Sequence, residues 1–200
     1  MKYLLALPLL ALCYLGRTQT MFKKNPDTLT VNFDDQGDLV ITPSSASSSH
    51  DFDFLVGNWK LEHEKLKARL VNCTEWEKLV TYATDSNGLE GVGNFDTDWS
   101  TFDGKRWEGR TIRLFNPKTR LWSLYWIDSN RGTMDPPVVG SFQGNIGYFF
   151  GKDVYHGKPV LVVFRWDKTD PNNPIWSQAL SQDDGKTWEW NWYNVLRRTN

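Results

Sequence analysis

Apolar and polar residues alternate along most of the chain, the period of a strand with one face turned to a core. Residues 59–63 and 74–82 show it, as do 111–115, which end at Asn116-Pro117, and 121–127 one turn later. Residues 147–150, 160–166, 175–181 and 188–196, rich in β-branched and aromatic residues, are further strand signals. Gly, Pro, Asn and Asp separate these runs, so the pattern predicts eight or more short strands in an antiparallel sandwich or barrel. No stretch has the strand–helix–strand rhythm of a parallel sheet. Residues 60–70 depart from the pattern. They are heavily charged, with Leu66 and Leu70 four apart, and predict a strand followed by a short helix.

Upstream, 28–33 and 39–42 alternate around Asp34-Asp35-Gln36-Gly37-Asp38, which predicts a small hairpin closed by a Gly-containing turn. The Ser-rich run 43–49 predicts a flexible linker. Residues 1–20 open with Met1-Lys2 and continue as an apolar stretch from Tyr3 to Leu15, too short for a bilayer span and proportioned as a secretory signal. Small residues place cleavage near Thr18 or Thr20. Leu12 is bulky where a lipid-attachment signal at Cys13 needs a small residue, so export without lipidation is expected. The chain therefore divides into a signal peptide (1–20), a hairpin with linker (21–49) and a β-domain (50–200).

The net charge is −1 and the charges form no basic block, which argues against nucleic acid as a partner. Once the signal is removed Cys73 is the only cysteine, so no internal disulfide is possible and stability must come from the core. The aromatic content does change the picture. All eleven tryptophans fall between Trp59 and Trp192, and indoles serve both cores and the walls of ligand cavities.

Alternation in 121–128 puts Trp122, Leu124, Trp126 and Asp128 on one face. In 188–196 it groups Trp188, Trp190, Trp192, Asn194 and Leu196, and in 111–115 it groups Thr111, Arg113 and Phe115. A ligand cavity needs a mainly apolar wall with a few polar groups that fix orientation. Arg113, Trp126, Asp128, Arg131, Arg165, Trp166, Gln178, Trp190 and Trp192 are the candidate ligand-binding residues on that ground. Arg131 sits in the polar loop 128–140, which carries two Asp and two Pro between strong strands and has the character of a functional loop.

Residues 181–188 (Ser-Gln-Asp-Asp-Gly-Lys-Thr-Trp) fit the Asp-box, a turn motif, with a weaker echo at 100–107. Asp-boxes are familiar from sialidases, but a sialidase propeller needs several boxes and a longer chain. His50, His63 and His156 are scattered without metal-ligand spacing, so no metal site is expected, and His63 between Glu62 and Glu64 reads as a surface residue. No nucleophile elbow, P-loop or dinucleotide fingerprint is present.

The run Phe52-Asp53-Phe54-Leu55-Val56-Gly57-Asn58-Trp59 resembles the F-D-F-x-x-G-x-W opening of calycin-like barrel proteins of the DUF1579 type, a family of unknown function. Residues 120–126, 135–140 and 184–192 are similar to the same group, and the resemblance spans about 50–198. It implies an all-β fold, an antiparallel calycin (lipocalin-like) barrel of about eight to ten strands whose floor is plugged by Trp59. Haem-binding relatives of this barrel use a His near the C-terminus. None follows His156 here, and no cofactor is expected.

These readings converge on an exported barrel that binds a small apolar or aromatic molecule, anionic if an Arg orients it. One alternative is an isomerase, hydratase or hydrolase using the same cavity, with Glu75, Tyr125, Asp128 and Arg131 as acid–base or anion-stabilising groups. Another is carbohydrate binding on an exposed Trp platform. The pattern predicts a small-molecule ligand, no nucleic-acid partner and no membrane span, and leaves the oligomeric state open.

Overall fold

The computed structural model describes residues 29–199, so the expected export signal and Thr28 lie outside the described residues. The chain forms two short strands, β1 (Asn32–Phe33) and β2 (Leu39–Val40), and then ten long ones. These are β3 (Gly57–Leu66), β4 (Trp76–Gly88), β5 (Gly93–Phe102), β6 (Lys105–Asn116), β7 (Leu121–Asp128), β8 (Val138–Gln143), β9 (Ile146–Tyr155), β10 (Lys158–Asp167), β11 (Ile175–Ser181) and β12 (Glu189–Arg198). Each of β3–β12 pairs antiparallel with its chain neighbour, and β12 returns to β3, which closes a ten-stranded barrel without free edges. The fold is therefore all-β, a closed antiparallel barrel with an N-terminal hairpin. No described helix is long and apolar enough to cross a membrane.

Three local expectations are corrected. Residues 60–66 stay in β3 and 67–70 form bends rather than a helix, because Leu61, His63 and Lys65 alternate onto the cavity wall. The Ser-rich segment is held against the barrel. Ser44 donates its N–H to Ser141 Oγ at 2.9 Å, Arg120 reaches the carbonyls of Ser45 and Ser47, and Trp122 Nε1 donates to Ser48 O. Two strands, β5 and β8, lie outside the runs that the sequence pattern predicts.

One end of the barrel is closed by the segment that carries the F-D-F-x-x-G-x-W run. A single 3-10 turn (Asp53–Leu55) inserts Phe52 among Trp122, Phe142 and Phe149, with ring centroids 4.9 to 5.7 Å apart. Phe52, Trp122 and Phe149 have no exposed surface. Gly57 turns the chain into β3 at φ +127, and a Cβ there would meet the Arg198 guanidinium at 2.9 Å. That guanidinium covers the Trp59 ring at 4.2 Å and donates to the carbonyls of Phe54 and Val56. The Asp-box is the β11–β12 connection. Asp183 accepts from Thr187 N at 2.9 Å and from Ser181 Oγ at 2.8 Å, and Trp188 Nε1 donates to Gly185 O. These bonds hold the Asp183 carboxyl down at about 2.

Candidate functional site

Above the aromatic floor the barrel encloses a cavity of about 620 Å³. Its wall is largely apolar, with Leu61, Leu79, Leu124, Val162, Phe164 and Leu180 among the residues that line it. Trp107, Trp126, Trp166, Trp176 and Trp192 add ring surface. At the end away from the floor, Lys65, Arg69, Arg131 and Tyr155 border the opening.

The strands β4, β5 and β6 supply a polar wall. Asp85 and Asp96 stand directly opposite each other across β4 and β5. Arg113, only 3% exposed, joins them: Nη1 donates to Asp85 Oδ2 at 3.1 Å and to Asn94 Oδ1 at 2.7 Å, and Nη2 donates to Asp96 Oδ2. The other Asp96 oxygen accepts the Thr111 N–H at 2.8 Å, filling a gap in the β5–β6 ladder. The guanidinium also lies 5.2 Å from the Phe52 ring and 5.7 Å from that of Trp166, so the cluster rests on the floor. Burial pushes the Asp85 carboxyl up to about 7 despite the Arg113 charge beside it.

A second polar line climbs the same wall. Trp192 Nε1 donates to His63 Nδ1 at 3.1 Å, which leaves His63 Nε2 to carry the proton and donate to Thr81 Oγ1 at 2.8 Å. The Thr81 hydroxyl in turn bonds the Asp98 carboxylate. Burial, reinforced by Lys65, lowers His63 to about 4, so the ring is neutral near pH 7. Burial pushes Asp98 up to about 7, with Asp96 adding to the shift and Thr81 opposing it. Among the described residues nothing donates to Asp98 Oδ1.

The opening is held by charges. Asp128 accepts from Trp126 Nε1 at 3.2 Å, from Arg131 Nε at 3.1 Å and from the Asn130 N–H at 2.9 Å, while Arg131 also meets Asp135 at 2.7 Å. Burial alone would raise the Asp128 carboxyl, but these bonds outweigh it and hold it below its ordinary value. Across the opening, Lys65 Nζ and the Arg69 guanidinium lie 4.7 and 5.4 Å from the Trp192 ring. Both cations are shifted down by burial, and Lys65 further by Arg69.

Seven of the nine predicted ligand residues share this cavity: Arg113, Trp126, Asp128, Arg131, Trp166, Gln178 and Trp192. Arg165 does not. It alternates with Phe164 and Trp166 and so faces outward, where Nη2 pairs with Asp167 at 2.9 Å. Trp190 does not line it either. A bulge opposite Gln178–Ala179 leaves Asn191 as the extra residue, so Trp190 pairs with outward-facing Ala179 while Trp192 pairs with inward-facing Gln178. Arg113 is inside, but its charge is already met by Asp85 and Asp96. Among the acid–base candidates, Tyr125 borders the cavity, whereas Glu75 is exposed and paired with Lys67 at 2.8 Å.

His63, read as a surface residue, is 4% exposed. Sequence reasoning also missed Asp85, Asp96, Asp98, Thr81 and the Lys65–Arg69 pair. The available signal was the spacing of Asn94, Asp96 and Asp98 at every second position, which puts them on one face, with Asp96 and Asp98 on the cavity wall. No family model matches the chain, and no curated protein matches it.

Proposed function

We propose that this protein is an exported barrel of the calycin-like kind that carries a small, apolar or aromatic molecule inside. The observation that bears the reading is the cavity, closed at one end by the Phe52–Trp122 cluster and open at the other, with six indoles lining it. Preformed concave sites of this size accept molecules of one to three rings. Trp126, Trp166 and Trp192 are the contact surfaces, while Gln178 and Asp128 give direction. The similarity of 52–59 to the family opening supports the same reading, since those residues form the floor. None of the eleven tryptophans is exposed, which favours an enclosed ligand over a sugar on a flat platform. The apolar start of the chain supports export, and N-terminal sequencing of protein recovered from a bacterial periplasm tests it: a new terminus near residue 19 or 21 is expected, and an intact Met1 would contradict it.

Comparison of native and denaturing mass spectra of the purified protein tests carriage. A reproducible extra mass that disappears on denaturation is expected. A bare protein that also fails to take up neutral aromatic probes would contradict the reading.

A further inference from the structure

The polar wall has an imbalance that the carrier reading does not account for. Three carboxylates, Asp85, Asp96 and Asp98, project into the barrel against one guanidinium, Arg113. Arg113 gives its charge to Asp85 and Asp96, and among the described residues no cation pairs with Asp98. Asp98 is 8% exposed; Thr81 and the Trp99 N–H bond its carboxylate, but among the described residues nothing donates to its Oδ1. A buried carboxylate short of donors is costly, and either a proton or a ligand must relieve it. The surroundings fit a ligand. Asp98 pairs directly with Gly109 across β5 and β6, and Gly109 pairs with Asp128 across β6 and β7. The Trp126 ring lies on this glycine: a Cβ at position 109 would stand 2.4 Å from Trp126 Cη2 and 3.0 Å from Trp107 Cη2. Gly109 thus lets two indoles, 6.0 Å apart at 30°, pack beside the carboxylate. Ring faces next to a carboxylate favour an organic cation, which the indoles attract by their quadrupole and the carboxylate by charge. Asn194 Oδ1, also on the cavity wall, is a second acceptor without a donor. Among the described residues no group of His, Cys, Asp and Glu converges to hold a metal ion.

We infer that Asp98, flanked by Trp107 and Trp126, receives the protonated amine of an aromatic or apolar amine carried in the cavity. The inference rests on the carrier reading and adds the ligand's charge. The ammonium supplies the donor missing at Asp98 Oδ1, and the apolar part of the molecule takes the Leu124–Val162–Leu180 side of the wall.

The test uses three indoles of nearly equal size, tryptamine, indole-3-ethanol and indole-3-propionate, competing with the neutral fluorophore N-phenyl-1-naphthylamine at pH 8. Tryptamine is expected to displace the fluorophore at a concentration at least tenfold below that of the alcohol, with the propionate weakest. The isosteric Asp98→Asn change is expected to remove that preference while leaving the alcohol within about twofold, and Trp126→Phe to reduce it severalfold, with circular dichroism confirming the barrel in each. Equal displacement by all three, strongest displacement by the propionate, or a preference that survives in Asp98→Asn would overturn the amine site while leaving the carrier reading intact. If the fluorophore itself does not bind, the carrier reading falls and the amine site falls with it.

Discussion

The floor of the barrel and its polar wall are built by opposite rules. At the floor, Phe52, Trp122, Phe142 and Phe149 pack edge-to-face or tilted with nothing exposed, and the two indole N–H groups of Trp59 and Trp122 end on backbone carbonyls. Every group there is satisfied. On the β4–β6 wall, one guanidinium serves two carboxylates and a third carboxylate has one oxygen without a donor, and from β12 and β3 a neutral imidazole leads to it in a line of four hydrogen-bonding side chains. A wall built only to be stable would carry leucines at these positions, because buried charges rarely repay their desolvation. The contrast separates the part that closes the barrel from the part that keeps unmet polar groups inside it.

Substitutions should break the two regions differently. Phe52→Ala empties the centre of the floor and is expected to cost about 3–5 kcal/mol by urea denaturation, with little dependence on pH. Arg113→Met leaves Asp85 and Asp96 facing each other without a cation, and a loss of about 3–5 kcal/mol is expected at pH 8. This second loss should shrink by pH 5, because Asp85, already raised to about 7, then takes up a proton. A pH-independent Arg113→Met effect would place the cluster with the floor.

Asp98 gives a gentler and sharper contrast. Its carboxyl rises from 3.8 unfolded to about 7 folded, so between those values the folded protein binds the extra proton. Unfolding free energy should therefore fall as pH rises from 4 to 7 and level off above. Asp98→Asn is expected to remove that share of the slope, leaving the variant more stable than the parent by about 1–3 kcal/mol at pH 8 and equal to it near pH 4. His63, neutral when folded, acts in the opposite sense, with stability lost as pH falls from 6.5 towards 4, so the difference between parent and variant is the quantity to read. Smallest of all is Arg131→Ala. Its pairs with Asp128 and Asp135 are half exposed, and a cost below about 1 kcal/mol is expected, visible in thermal melts at low salt.

The same contrast governs what the sequence discloses. Strands β7 and β10 have apolar inward positions, Trp122-Leu124-Trp126 and Val160-Val162-Phe164-Trp166, within segments rich enough in apolar residues to read as strands. The F-D-F-x-x-G-x-W run likewise marks the floor. Strand β5 was missed because its inner positions are Asn94, Asp96 and Asp98, a polarity that reads as a loop until the barrel closes around it. The cavity's most distinctive residues therefore sat on the strand with the weakest signal, as expected where function overrides packing. Trp190 was misplaced because a bulge shifts the alternation by one residue, and no residue type in Trp188–Leu196 announces it. Arg165 could have been excluded from the inside by alternation alone, since Trp166 is its neighbour. Burial of His63 depends on Trp192 and Thr81, which are distant in sequence, so its charged neighbours gave the wrong environment.

If the proposed ligand sits in the interior and not on the outer surface, filling the interior must exclude it. Ala83 lines the cavity and is 5% exposed, so Ala83→Phe places a ring in the ligand's space. Titration with N-phenyl-1-naphthylamine should show one site per chain in the parent protein and at least tenfold weaker binding in Ala83→Phe, with the barrel's circular dichroism unchanged. Equal binding by the two folded proteins would put the site outside the barrel and contradict the account.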